Sequence, residues 1–437
     1  LNDYHDTRVT LYQGHALEVL KNLPADSVDC VMTSPPYWSQ RKYHTSPLIW
    51  DGDLDCRHQW QTITRTPSSG PLTSACLDRS QGAVPSHAKS ATLLKQQSGY
   101  CKKCGAWRGD LGLEPTVGLY IAHLITIFDE VKRVLKPAGT CFVNISDSYA
   151  GSGGTGSQFR QLSRLVRVRP PAVDIPIKSL CRIPERFVIA MSDHGWIGRN
   201  NICWYKRNCM PESVKDLFTD DWEPLYFFTK STRYFFEQQF EPLQDCSIER
   251  VQYGWHGQEN DDTYRDQPDP TEEMGERWAP ITGRNKRTVW DIPAAPSIGS
   301  HYAAYPDKLC EPPILAGCPA QICVECGRPR QKIIVASVGT IGKSMHDHGA
   351  DAEKGMSQLK SRAMYDGTYH RDLNGFTDCG CGAPFEPGTV LDPFAGTGTT
   401  GAVAKALGRK AVLVELSPRY CALIKKRLEL IKVPMNL

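Results

Sequence analysis

The sequence predicts an α/β protein built on a doubly wound, mostly parallel sheet, and three observations carry that prediction. Strand, helix and strand alternate from residue 8 to 33 and again from 390 to 430, the order that builds parallel strands with helical crossovers. The apolar run Val28-Asp29-Cys30-Val31-Met32 leads into Thr33-Ser34-Pro35-Pro36-Tyr37-Trp38. A second run, Val390-Leu391, leads into Asp392-Pro393-Phe394-Ala395-Gly396-Thr397-Gly398-Thr399-Thr400-Gly401. Open α/β sheets bind ligands at the carboxyl ends of their strands, where the strand order reverses. The two turns are therefore expected side by side at such a point, with the two ends of the chain meeting at the centre of the sheet.

The first strand, Val9-Thr10-Leu11-Tyr12, ends in Gly14-His15. The second ends in Ser34, Pro35, Pro36 and Tyr37, the candidate catalytic residues. The two prolines hold φ near one value and have no N–H, so their carbonyls are fixed and open to donors. Such a turn suits a planar group with an exocyclic amine, which donates to Ser34 and to the Pro35 carbonyl while Tyr37 stacks on the ring. A plain Pro-Pro turn with an incidental aromatic is the alternative. At the far end, Gly396, Gly398 and Gly401 match G-x-G-x-x-G, with a helix expected from Ala402 to Leu407. The next strand, Ala411-Val412-Leu413-Val414, ends in Glu415. Glycines admit a cofactor close to the backbone, and the acid can accept from ribose hydroxyls. The spacing alone would equally fit a dinucleotide. No lysine follows the last glycine, which argues against a phosphate-cradling loop.

Composition fits an intracellular enzyme. The 437 residues, 40% of them hydrophobic, allow two or three domains or one large domain with insertions. A net charge of +3 leaves any affinity for nucleic acid to local basic clusters. The polar start does not read as a secretory signal, and no apolar run reaches the roughly 18 to 20 residues that span a bilayer.

Among the 17 cysteines, Cys30, Cys141, Cys203 and Cys421 sit in apolar contexts and read as small core residues. Others pair at short spacings. Cys56 and His58 with Cys101 and Cys104 would form one four-ligand site, and Cys323, Cys326, Cys379 and Cys381 a second. C-x2-C followed by Gly is a knuckle in which two thiolates share one tetrahedral zinc. The closing loops are long, but closure entropy grows only with the logarithm of length. Cys318 and Cys76 are substitute ligands; disulfides and redox pairs are the alternatives. Four protein ligands leave no open position, so both zinc sites would be structural.

Thr62 to Gln97 and Ser337 to Gly375 lack periodicity and read as mobile loops. Gly151 to Ser157 reads as a hinge leading to Arg160, Arg164, Arg167 and Arg169, a basic arm suited to phosphates or a solvated charged loop. Residues 238–298 interleave Arg250, Arg265, Arg277, Arg284, Lys286 and Arg287 with Tyr253, Trp255, Tyr264 and Trp278. Arginine forks read guanine edges and aromatic rings stack. Equally dense acids leave a variable surface loop as the other reading.

With Ser-Pro-Pro-Tyr-Trp first and Asp-Pro-Phe-Ala-Gly-Thr-Gly-Thr-Thr last, the chain resembles the amino-group DNA methyltransferases of the permuted β class. Those enzymes use S-adenosylmethionine (SAM) and methylate the exocyclic nitrogen of cytosine (N4) or adenine (N6). Glu130 to Gly139 with Cys141 to Ile145, Trp204 to Asn208 with Met210-Pro211, Trp222 to Phe228, and His301-Tyr302-Ala303 with Tyr305-Pro306 and Leu309 look like further family segments, in the family's order. One departure stands out: the family has Gly-Asp near the cofactor's adenine where this chain has Gly14-His15.

The resemblance implies a seven-stranded, mostly parallel sheet of the SAM-methyltransferase type, circularly permuted, with a target-recognition segment inserted at 238–298 and a catalytic half at 1–55 and 113–237. The cysteine spacings add zinc-knuckle insertions at 56–112 and 318–382. A helix at 299–317 would open the cofactor half, and 383–437 would bind SAM. Asp392, Pro393, Phe394, Gly396, Gly398, Thr399, Thr400 and Glu415 would hold the cofactor, Asp392 at its amino-acid end. Arg160, Arg164, Arg284, Lys286 and Arg287 would contact DNA. The implied partners are double-stranded DNA and, for a restriction-modification pair, a cognate endonuclease. The implied location is the cytoplasm of a bacterium or archaeon, or of a phage-infected cell, with no membrane partner.

Within the family, Ser rather than Asp before Pro-Pro-Tyr favours N4 of cytosine, with N6 of adenine the alternative. The target base must leave the duplex to be reached. Methylation at a ring carbon would need a thiol nucleophile, usually in a Pro-Cys pair, and the sequence contains none. A nicotinamide-dependent dehydrogenase would explain the glycines but not Ser-Pro-Pro-Tyr. A catalytically silent zinc-bearing DNA-binding protein would keep the knuckles and basic arm without methyl transfer.

Overall fold

The computed structural model describes residues 4–38, 47–53, 55–65, 94–150, 175–209, 211, 215–242, 284–294, 305–340 and 365–431. The expected hinge, Arg160, Arg164, Arg167 and Arg169, Cys76, His301 to Ala303 and residues 243–283 of the expected recognition region lie outside them. The chain forms two units: 1–236 with 288–320 and 387–437, and 237–287 with 321–386.

The first unit is built on one sheet in the order β1 (Tyr4–His5), β2 (Val9–Gln13), β19 (Lys410–Glu415), β18 (Thr389–Asp392), β3 (Val28–Thr33), β8 (Leu135–Asn144), β10 (Trp222–Thr229), β9 (Ile197–Tyr205), β13 (Val289–Asp291). This corrects the expected strand number, because nine strands pair rather than seven. The two extra strands are the short outermost ones, whose two or three residues carry no readable periodicity. Five neighbours from β2 to β8 run parallel, while β1 and β10 run antiparallel to theirs.

The expected meeting of the chain's ends is present at the centre. Val390 pairs with Cys30 and Leu391 with Val31 in parallel register. Every residue of β3 is buried, as befits a strand covered on both faces. From Cys30 onward its side chains alternate between two cores, Cys30 and Met32 in one and Val31 in the other, while Val28, before an irregularity in the pairing with β8, joins the core of Val31. The first core is closed by α1 (Ala16–Asn22), α2 (Val117–Val134) and α3 (Ile183–Asp193), the second by α4 (Asp307–Gly317), α5 (Thr399–Ala406) and α6 (Pro418–Glu429). Thr116 caps α2 by accepting the N–H of Leu119, which satisfies one of the helix's orphan donors.

The helix after the glycine turn starts at Thr399 rather than at Ala402. Gly398, at φ +77°, makes the left-handed turn into it. A Cβ there would lie 2.9 Å from Ile424, so the position demands glycine on both counts.

Leu48–Trp50 (β4), Trp60–Arg65 (β5), Leu94–Cys101 (β6) and Trp107–Gly109 (β7) form a separate sheet in the order β4-β7-β6-β5. The second unit holds three strand pairs: β11 (Phe240–Glu241) with β12 (Arg284–Asn285), β14 (Ile322–Cys323) with β17 (Phe385–Glu386), and β15 (Lys332–Thr340) with β16 (Tyr365–Phe376). Both segments expected as loops thus carry strand at their ends, since β5 pairs with β6 and β15 with β16. Their backbone groups are satisfied by each other, a pairing that local composition does not reveal. Cys30, Cys141 and Cys421 are core residues as expected, whereas Cys203 is only half-buried.

Candidate active site

The two turns meet because their strands are neighbours. The Thr33 hydroxyl donates to Asp392 Oδ1 at 2.6 Å across a sequence separation of 359. Asp392 is fully buried and also accepts from the Phe394 N–H (3.0 Å), the Thr400 hydroxyl (2.7 Å) and the Tyr305 hydroxyl (3.0 Å). Burial pushes its carboxyl up, and these donors pull it back. With its oxygens so occupied, Asp392 fixes the turn from behind.

Beside these turns lies a cavity of about 170 Å³. Ser34, Pro35, Pro36 and Tyr37 line it, and so do Pro393, Phe394, Gly396, Thr399 and Glu415. Asp392, Gly398 and Thr400 do not line it. Asp392 sits behind the lining and supports the loop that carries Pro393, Phe394 and Gly396 into it. His15, where an acid was expected, lines the cavity at the start of α1.

Glu415 ends β19 at the cavity edge. Its Oε2 accepts the Gly396 N–H at 2.8 Å and its Oε1 the Ser417 N–H at 2.7 Å. Burial raises its carboxyl to about 7 despite those donors, with Asp392 adding to the rise. A carboxylate fixed in this way presents its remaining lone pairs to a diol.

Tyr37 is held by residues to which the sequence reading gave no role. Its hydroxyl donates to Glu223 Oε2 at 2.8 Å and lies 2.9 Å from Asn144 Oδ1. The Asn144 amide donates to the Pro224 carbonyl at 3.0 Å, and Lys206 Nζ donates to Glu223 Oε1 at 2.9 Å. Burial, then the Glu223 charge, pushes the Tyr37 phenol well above its ordinary value, so it stays a neutral donor. Ser34 Oγ lies 3.4 Å from the Tyr37 hydroxyl. The Tyr120 hydroxyl donates to the Pro36 carbonyl at 2.7 Å, which pins the second proline. Polar Asn144 directly after the apolar run Cys141 to Val143, and Glu223 two residues before the run Leu225 to Phe228, were the available signal.

Both cysteine sets assemble. The ligand atoms of Cys56, His58, Cys101 and Cys104 all lie within 4.8 Å of one another, and so do those of Cys323, Cys326, Cys379 and Cys381. Three thiols with an imidazole, or four thiols, at such separations match the donor sets of structural zinc. Cys318 is instead buried, with its thiol toward the Pro319 carbonyl. The backbone N–H of Cys326, against burial and joined by that of Glu325, brings the Cys323 thiol down to about 7.

In the second unit, Arg284 and Arg287 donate to Glu241 Oε1 at 2.7 and 2.5 Å. Both guanidinium groups are thus engaged by one carboxylate of the same unit. The Lys286 backbone N–H donates to the Gln239 carbonyl. No helix among the described residues is long and apolar enough to cross a membrane.

Comparison with known proteins gives a consistent result. A family model described as DNA methylase, of the N6/N4 type, matches residues 28–322 and 385–426. The chain is 28% identical over 427 residues to the type II methyltransferase M.XycI of Xanthomonas campestris pv. cyanopsidis, covering 96% of this chain and 87% of the relative. It is 27% identical over 424 residues to the type II methyltransferase M.Cfr9I of Citrobacter freundii, with the same coverage. Among solved structures, the PvuII DNA methyltransferase (cytosine-N4-specific) superposes with a TM-score of 0.46 at 15% identity, covering 99% of this chain and 89% of that one. With the DNA methylase match spanning most of its length, the chain belongs to this family and is a β-class, SAM-dependent DNA amino-methyltransferase.

Proposed function

We propose that the protein is a site-specific methyltransferase acting on N4 of a flipped-out cytosine in double-stranded DNA, as one half of a type II restriction-modification pair. The observation that carries this reading is the shared cavity, with Ser34 to Tyr37 and the glycine turn with Glu415 both in its lining. SAM bound there supplies an electrophilic methyl group on its sulfonium. Glu415 accepts from the ribose hydroxyls, and the turn held by Asp392 cradles the amino-acid end.

The exocyclic amine of cytosine is a poor nucleophile because its lone pair is delocalised into the ring. Ser34 Oγ and the Pro35 carbonyl accept hydrogen bonds from its two N–H groups, which favours a pyramidal nitrogen with its lone pair free. Tyr37, held through its hydroxyl by Glu223 and Asn144, offers its ring to the flipped base. Catalysis then comes mainly from positioning and from excluding water. Ser in place of Asp before Pro-Pro-Tyr favours cytosine over adenine as the target.

The two cysteine sets each hold one structural zinc. Their donor chemistry fits and they leave no open position. Segments 56–112 and 318–382 serve as knuckle insertions and 238–298 as the target-recognition region, with Arg160, Arg164, Arg284, Lys286 and Arg287 as the DNA contacts. A partner endonuclease and a cytoplasmic location follow from the same reading.

The deciding experiment is to methylate DNA with the purified protein, digest it to nucleosides and separate them by mass. N4-methylcytosine is expected; N6-methyladenine alone would reverse the base assignment, and no modified nucleoside would favour a silent DNA-binding protein.

A further inference from the structure

We infer that the knuckle of Cys56, His58, Cys101 and Cys104 mounts one wall of the active-site cavity, with Trp50 as the positioning residue it delivers. The inference rests on the reading of that cluster as a zinc site.

The wall is contributed by the separate four-stranded sheet. Leu48 and Trp50 from β4, Gly109 from β7, and Asp110 and Leu111 just after it all line the cavity. Those strands are continuous with the ligands. Cys101 ends β6, its N–H donates to the Ala106 carbonyl at 2.8 Å, and Trp107 begins β7. On the β4 side the link is shorter still. Two residues after Trp50, Gly52 packs on the ligand itself: a Cβ at Gly52 would lie 3.3 Å from His58 Cε1 and 2.9 Å from Ala106 Cβ. Asp51 between them has φ +57°, so the chain turns sharply from the cavity wall onto the knuckle.

Trp50 is also fixed from the catalytic core. Its indole N–H donates to the Gly109 carbonyl at 3.2 Å, and its ring stacks on His123 of α2 at 4.3 Å. His123 is fully buried, with Asp51 Oδ2 2.9 Å from one ring nitrogen and Glu114 Oε1 3.0 Å from the other. Glu114 in turn accepts the Gly112 N–H at 2.8 Å. A Cβ at Gly112, where φ is +90°, would lie 3.1 Å from the Tyr37 carbonyl and 3.3 Å from that of Pro36. The loop leaving β7 thus rests directly on the backbone of the Ser-Pro-Pro-Tyr turn. A metal that closes four ligands stiffens this sheet, because binding free energy at such a site is folding free energy. Without it, β4 and β7 lose the tie that holds Trp50 and residues 109–111 in register.

The test compares three full-length variants with the wild type, reading zinc by elemental analysis, SAM affinity by calorimetry, methyl transfer, and helix content by circular dichroism. Wild type is expected to carry about two zinc ions per chain. Cys104→Ser should lose one and weaken SAM affinity and kcat/KM by at least about ten-fold while keeping its helix content. Cys326→Ser should lose the other with SAM affinity unchanged. Trp50→Ala should reproduce the loss seen in Cys104→Ser with both zinc ions retained, which separates the wall from the metal. Zinc lost from Cys104→Ser with SAM affinity and transfer unchanged, or a neutral Trp50→Ala, would overturn this inference and leave the zinc reading standing. Wild-type protein free of zinc would overturn both.

Discussion

The proposed contact between Glu415 and the SAM ribose predicts that SAM binding depends on pH within the range where the enzyme can be assayed. Its carboxyl has an ordinary value of 4.5, and burial, opposed by the N–H groups of Ser417 and Gly396 and assisted by Asp392, raises it to about 7. The folded protein without cofactor therefore holds this proton more tightly than the unfolded chain does. The carboxyl's contribution to stability is full below about 4.5 and is lost as pH rises through about 7, a cost on the order of 3 kcal/mol by pH 8. Ribose hydroxyls donate, so they bind the ionised form. At about pH 6 roughly nine-tenths of the free protein would have to release this proton on binding, which makes apparent SAM affinity about ten-fold weaker than at pH 8. Calorimetry in two buffers of different ionisation enthalpy measures both the affinity and the protons released. Release of close to one proton per SAM at about pH 6, falling toward zero by pH 8, is the expected result. Glu415→Gln should bind more weakly and lose the pH dependence. An affinity that is flat from pH 6 to 8, with no proton release, would refute the contact between Glu415 and the ribose.

Other substitutions separate the remaining roles. Ser34→Ala and Tyr37→Ala should cut methyl transfer by about two orders of magnitude or more while SAM affinity stays within a few-fold, because contacts to the base are lost selectively; equal losses in SAM binding would make the turn merely structural. Tyr37→Phe keeps the ring and removes the hydroxyl bonded to Glu223, so transfer should fall far less than in Tyr37→Ala. Asp392→Ala strands buried donors from Thr33, Thr400 and Tyr305. It should abolish SAM binding and lower stability by about 3 kcal/mol or more in denaturant titration, and unchanged SAM affinity would refute its support of the turn.

Much of the centre was legible because short-range patterns encode it. A strand buried on both faces must be continuously apolar, as Val28 to Met32 nearly is, and a glycine turn before Thr399 must be glycine for steric reasons. The short spacings Cys101 to Cys104 and Cys323 to Cys326 likewise anticipate the two side-chain clusters that assemble. Contacts made only by the tertiary fold were not legible. Nothing local says that Asn144 and Glu223, on neighbouring strands, converge on the Tyr37 hydroxyl, or that Asp392 is enclosed by four donors. The nine-strand sheet exceeded expectation because β1 and β13 are too short to show a period. The strands at the ends of the two supposed loops are stabilised by each other rather than by composition. His123, on α2, gives no sequence hint that Trp50 will lie against it.

The pairing of β3 with β18 has a bearing on how the enzyme is made. Thr33 at the end of β3 precedes Asp392 at the end of β18 by 359 residues, so the strand that leads into Ser34 is synthesised well before the neighbour that completes the middle of the sheet. Until then β3 has one exposed edge and a full row of unpaired backbone groups, and the cavity lacks its cofactor side. Non-local pairings of this kind are slow to form and leave a sticky intermediate. The nascent chain is therefore expected to depend on chaperones or on shielding of that edge. It also cannot bind SAM or modify DNA in part: methylation competence arrives in one step, when β18 and β19 slot between β3 and β2.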